Sequence, residues 1–181
     1  DDRTSDIMDF FQFHQPQTGL GALRLAQALS KLDQKSEAIL VAQNAWVSFI
    51  MEPDQEKEFL ADFGKHLKKL HEIRLDMLLW KGAASDAARI LHRVDDGPAK
   101  LAKARLALQR NRGGLQLLIS RIPEDLKRDP GLAYDRFEWR LRHKLPDKAI
   151  ELLLFQSDTP GRLGKPDKWA AARLNLARDL M

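Results

Sequence analysis

Nowhere in this sequence do apolar and polar residues alternate with the two-residue period of a half-buried strand. They recur instead at three- and four-residue steps between short turns. That pattern restricts the chain to an all-α fold. Glycine is sparse, at 10 of 181 residues, and alanine and leucine dominate the apolar positions, so local propensity agrees with the periodicity. Helical segments of roughly ten to fifteen residues, paired across short turns, predict an irregular α-solenoid, a superhelix of tetratricopeptide-like hairpins, with 1–181 as a single superhelical domain. Ala38, Ala88 and Ala149 sit early in the second helix of three such hairpins, but at uneven intervals, which argues against a fixed-period array.

The helices are expected in the following order. Residues 5–14 carry Ile7, Met8, Phe10, Phe11 and Phe13, and Pro16 to Gly21 ends that segment. Leu23 to Leu32 and Ala38 to Met51 form a hairpin around Asp33-Gln34-Lys35-Ser36, with Ala22, Leu25, Ala26 and Leu29 facing Leu40, Ala45, Val47 and Phe49. A helix starting at Glu52-Pro53 carries Phe59, Leu60 and Phe63. The next runs from His71 to Gly82, a residue suited to the left-handed cap. Ala84 to Val94 is its partner, and Asp95-Asp96-Gly97-Pro98 is a turn. Leu101, Ala104, Arg105 and Leu108 mark a further helix before Gly113-Gly114, and Leu115 to Ile122 follows.

The stretch 122–140 is the most explicit. Pro123 and Pro130 each suit a first helical position, where the missing amide proton costs nothing, and Asp129 stands where an N-cap belongs. Tyr134, Phe137 and Leu141 make an apolar stripe; Asp135 and Glu138 can pair with arginines, Glu138 with Arg142 at i+4. Pro146 opens the antiparallel partner. A loop with Pro160, Gly161, Gly164 and Pro166 leads to a last helix bearing Trp169, Arg173, Leu176, Ala177 and Leu180.

Composition excludes several functions. With no cysteine, there are no disulfides, no thiolate metal site and no cysteine nucleophile. No apolar run approaches the roughly 20 residues of a membrane span. The net charge of +4 is uneven: residues 1–90 carry 11 Lys/Arg against 14 Asp/Glu, and residues 91–181 carry 19 against 12. A basic second half admits an anionic partner, although acids lie within a turn of every basic cluster. Asp62 and His66 share a helical face at i, i+4, but His71 is out of register, so no metal site is assigned, nor any cofactor. His14, His66, His71, His92 and His143 read as scattered surface residues. Gly19-Leu20-Gly21 is too short for a phosphate loop. Trp46, Trp80, Trp139 and Trp169 read as helix-to-helix packing. No catalytic residue is assigned. Arg136, Trp139, Arg140 and Arg142 form the candidate ligand or partner surface, a basic-aromatic patch whose neighbouring acids disfavour nucleic acid.

Several segments in sequence resemble the N-terminal helical region of soluble lytic murein transglycosylases of the alphaproteobacterial type. They are 74–82 (Arg74-Leu75-Asp76-Met77-Leu78-Leu79-Trp80-Lys81-Gly82), 104–109, Ile122-Pro123, 129–136, Trp139-Arg140, and Trp169, Arg173, Ala177-Arg178. The match spans 71–181; residues 1–70 are leading helices compatible by pattern alone. The resemblance implies a periplasmic protein acting on peptidoglycan, in which a lysozyme-like domain cleaves the glycan strand with 1,6-anhydro product formation. A helical superhelix serves as its support. The Glu-Ser pair and Gly-Leu-Met-Gln-type segment of that catalytic domain are missing here: Ser36-Glu37 is reversed, and Asp179-Leu180-Met181 lacks the glycine. The expectation is a support domain, inactive alone, with glycan strands or a protein as partner. Without an initiator Met or a terminal capping signal, the chain reads as a piece of a longer protein. The alternative is a helical-repeat adaptor between proteins with no cell-wall role.

Overall fold

A computed structural model describes residues 2–159 and 161–179; the expected loop residue Pro160 and the expected last-helix residue Leu180 lie outside them, as does Met181. Among the described residues the protein is all-helical, with no strand. They fall into two compact units, 1–94 and 95–181.

The first unit contains α1 (Asp2–Phe11), α2 (Gly19–Lys31), α3 (Lys35–Ser48), α4 (Pro53–Leu67), α5 (His71–Trp80) and α6 (Ala84–Ile90). Single 3-10 turns at Lys68–Leu70 and Leu91–Arg93 follow α4 and α6. Thr18 caps α2 by accepting from the Gly21 amide at 3.1 Å. Ala22, Ala26, Ala38, Ala42 and Ala45 are all buried, so α2 and α3 approach with little side-chain bulk between them. Trp46, Phe59, Phe63 and Leu67 fill the space below. Leu40, expected inside, is 58% exposed: the α3 interface runs through the alanines at 38, 42 and 45, and position 40 points away from it. The first helix starts at residue 2 and stops at Phe11, which leaves Phe13 in the exposed connection.

The second unit contains α7 (Asp96–Gln109), α8 (Leu115–Ser120), a 3-10 turn at Glu124–Leu126, α9 (Pro130–Arg142), α10 (Pro146–Ser157) and α11 (Pro166–Asp179). The short helix expected after Pro123 is that single 3-10 turn. α9 is the pivot. Leu132 and Trp139 pack against a cluster with Ala104, Leu108 and Ile122. Ala133 and Phe137, with Tyr134 and Leu141 beside them, join Ala149, Leu153, Trp169 and Leu176. The stripe read from sequence is therefore the α10–α11 face of α9. Trp169 is its keystone, 5.2 Å from both the Phe137 and Tyr134 ring centres, with Nε1 donating to the Leu163 carbonyl at 2.9 Å. The N-cap is as expected: Asp129 Oδ1 accepts from the Leu132 amide at 2.7 Å. Asp129→Ala is expected to lower stability by about 0.5–2 kcal/mol, measured by urea denaturation.

The chain has one tyrosine, Tyr134. Burial, followed by the Glu138 charge and hydrogen bond, pushes its phenol up to about 12 from an ordinary 10.0. The neutral phenol is the favoured form in the folded protein. Its contribution to stability is therefore intact below pH 10 and is lost as pH rises toward about 12. Absorbance titration at the phenolate band should show this lone group ionising near the upper value in the native protein and near the lower one in denaturant.

Four helix ends share one geometry. Asp33, Gly82, Asn111 and Lys144 adopt φ of 60°, 71°, 52° and 55°. The next residue in each case donates its amide five residues back: Gln34 to Leu29, Ala83 to Leu78, Arg112 to Ala107 and Leu145 to Arg140, at 2.8–3.0 Å. These are Schellman turns. The fifth residue after three of them, Ala38, Ala87 and Ala149, has no exposed surface. The hairpin marker read as Ala88 thus sits one residue earlier, because the register is counted from the left-handed residue.

Candidate functional site

The four residues proposed from sequence, all on α9, do not share one open face. Arg142 Nη1 and Nη2 donate to the carbonyls of Gln109 at 3.0 Å and Leu108 at 2.8 Å, closing the C-terminus of α7. It is therefore not paired with Glu138, whose hydrogen bond goes to Tyr134. Arg140 Nη1 donates to the Lys148 carbonyl at 2.5 Å, and so turns toward α10. Trp139 packs on the α7–α8 cluster and stacks on His143, with ring centres 3.9 Å apart. Arg136 is half-buried; burial and the charge of Arg140 lower its pKa. Two of the three guanidiniums are spent on helix joints. Trp46, Trp80 and Trp169 are buried, in keeping with a packing role.

A different cluster emerges in the first unit. The last turns of α4, the 3-10 turn behind it, the start of α5 and the 3-10 turn Leu91–Arg93 enclose a cleft of about 930 Å³. Its walls carry Lys65, His66, Lys68, His71, His92 and Arg93, with Leu60, Ala61 and Gly64 as the small and apolar part. Asp62 is the one carboxylate of the lining, and it accepts from Gln27 Nε2 at 2.8 Å. Gln43 Nε2 donates to the His66 carbonyl at 3.0 Å and so fixes the backbone of the wall against α3.

His71 forms the cleft's inner edge. It is 6% exposed, its ring lies edge-on to Trp46 with centres 5.7 Å apart, and its buried Nδ1 has no hydrogen-bond partner. Burial, then the charges of Arg93 and Arg74, lower its pKa, so the imidazole is neutral at pH 7. Among the described residues, the side chains of Lys65, Lys68 and Arg93 make no ion pair. No group of three or more His, Cys, Asp or Glu residues there is placed to hold a metal ion. Chemically the cleft lining offers three fixed positive charges and three imidazoles.

These histidines are scattered in the sequence, and His66 and His92 meet only through the α5–α6 hairpin. The signal available was local: Lys65-His66 and Lys68-Lys69 within one turn, with His92-Arg93 at the end of the partner hairpin. No described helix is long and apolar enough to cross a membrane. No known family model matches this chain, nor does any curated protein or solved structure.

Proposed function

We propose that this chain is a non-catalytic helical support segment of a periplasmic lytic murein transglycosylase, holding its partner domain and glycan strands in place. The observation that carries this reading is the use made of the residues that carry the resemblance. Arg105 Nε donates to Asp135 Oδ2 at 2.7 Å with the guanidinium 1% exposed, and Asp129 Oδ1 lies 3.7 Å from Arg105 Nη1. A Cβ at Gly131 would fall onto that guanidinium, so any other residue there would push Arg105 out of its present position. Arg74 and Trp169 are likewise fully enclosed. A support segment needs such residues as joints rather than as reactive groups.

The test is cosedimentation of the purified chain with peptidoglycan sacculi at low salt, followed by analysis of the soluble fraction. Retention on the sacculi with no release of 1,6-anhydro products is expected. A chain that stays wholly in the supernatant overturns the glycan-facing role. A protein adaptor is the second reading, favoured by the neighbouring exposed side chains Leu154 and Phe155 on α10. It predicts no retention on sacculi, and binding to a protein partner that Leu154→Ser abolishes.

A further inference from the structure

We propose that the basic cleft of the first unit binds a small phosphorylated ligand. The inference is argued from the charge and burial of the cleft residues alone and does not rest on the transglycosylase reading. Charge sets the ligand class. Lys65, Lys68 and Arg93 face one carboxylate, Asp62, which is already engaged by Gln27. Two positive charges are left over, and a phosphate monoester carries about −1.5 to −2 at pH 7. A single carboxylate would leave the cleft under-neutralised.

The donor chemistry agrees. Lysine and arginine supply charge-assisted hydrogen bonds to phosphoryl oxygens, and exposed His66 and His92 add imidazole groups that accept or donate as the ligand requires. Buried, unpartnered His71 Nδ1 at the inner edge is the mark of a polar site rather than of a filled core. The volume of about 930 Å³ admits more than an inorganic ion, and Leu60 and Ala61 provide surface for the ligand's uncharged body.

The surroundings select against polyanions. Residues 1–94 hold 12 Lys/Arg against 14 Asp/Glu, and three of those bases line the cleft, so the rest of this unit is acidic and favours a compact ligand in the cleft over a long phosphodiester chain along its surface.

Calorimetry of the whole chain with inorganic pyrophosphate at low salt is the direct test. Saturable binding is expected, weakened about tenfold or more by either Lys68→Gln or Arg93→Gln. Both residues are exposed and take no part in helix joints, so circular dichroism should show both variants folded. Flotation with vesicles containing phosphatidic acid separates two sources of the phosphoryl group. Retention lost in Arg93→Gln points to a lipid headgroup, and pyrophosphate binding without retention points to a free ligand; either supports the site. Absence of pyrophosphate binding at millimolar concentration overturns it. So does binding that both variants leave unchanged, or tighter binding of a single-stranded oligonucleotide than of pyrophosphate.

Discussion

Replacing Arg105 by methionine should destabilise the protein by about 3–5 kcal/mol, the range for breaking a buried ion pair by removing one partner. Asp135 is the reason. Its two oxygens accept from Arg105 Nε at 2.7 Å and Gln109 Nε2 at 3.0 Å, and the carboxylate is 5% exposed. Burial already raises its pKa, while Arg105 and Gln109 pull it down. Without the guanidinium the carboxyl rises further, so charging it becomes a folding cost. The sign follows. The folded state then holds its proton more tightly than the unfolded state, where an aspartate titrates near about 4, and stability falls as pH rises above that value. Arg105→Met should therefore be most destabilised at neutral pH and recover part of its loss toward pH 4. The double variant Arg105→Met/Asp135→Leu should regain most of the loss, since replacing the whole pair with apolar groups is often close to neutral. Thermal melts at two pH values decide it. A loss independent of pH would mean that packing, not the ion pair, is the origin.

Arg74→Met should have an effect of similar size, about 3–5 kcal/mol, by a different route. The Arg74 side chain has no exposed surface. Its Nη1 donates to the carbonyls of Trp46 at 2.7 Å and Phe49 at 3.0 Å, its Nη2 meets Glu56 at 3.3 Å, and the guanidinium lies 4.1 Å from the Trp46 ring centre. One side chain thus closes the C-terminus of α3, pairs with α4 and stacks on the core. Methionine leaves two carbonyls at the α3 terminus without their donor, and leaves Glu56 with Arg89 alone at 3.4 Å. Arg74→Lys should recover little, because an ammonium cannot reproduce a planar fork that serves three partners. Lys81, which donates to the Ser48 carbonyl at 2.7 Å from an exposed position, is the comparison: Lys81→Met should cost no more than about 1 kcal/mol.

Local chemistry made much of the fold readable. Helix type, the proline boundaries at 130 and 146, the Asp129 cap and the Tyr134–Phe137–Leu141 stripe all depend on residues within one or two turns of each other. The misplaced elements needed information from farther away. Leu40 looks like a core residue until the alanines of α2 and α3 set the interface. Arg142 looks like a partner for Glu138 until the end of α7 arrives beside it. Which arginine of many goes inside is decided by whether an acid or a free helix terminus waits there, as for Arg74 and Arg105. The basic cleft was hidden for the same reason. The first 90 residues are acidic on balance, yet folding brings four of their basic side chains, Lys65, His66, Lys68 and His71, into one cleft with His92 and Arg93.

The repeated helix-end turn has a practical consequence. Three of its four left-handed residues, Asp33, Asn111 and Lys144, are not glycine, and L-residues there sit in a region that disfavours them by roughly 1–2 kcal/mol. Aspartate and asparagine tolerate it best; lysine has no such excuse. Glycine at 144 would relieve that strain while adding freedom to the unfolded chain, for a net gain of a few tenths to about 1 kcal/mol. The joints that give the hairpins their common form are thus also the places where the protein can be made sturdier without touching its core or its cleft.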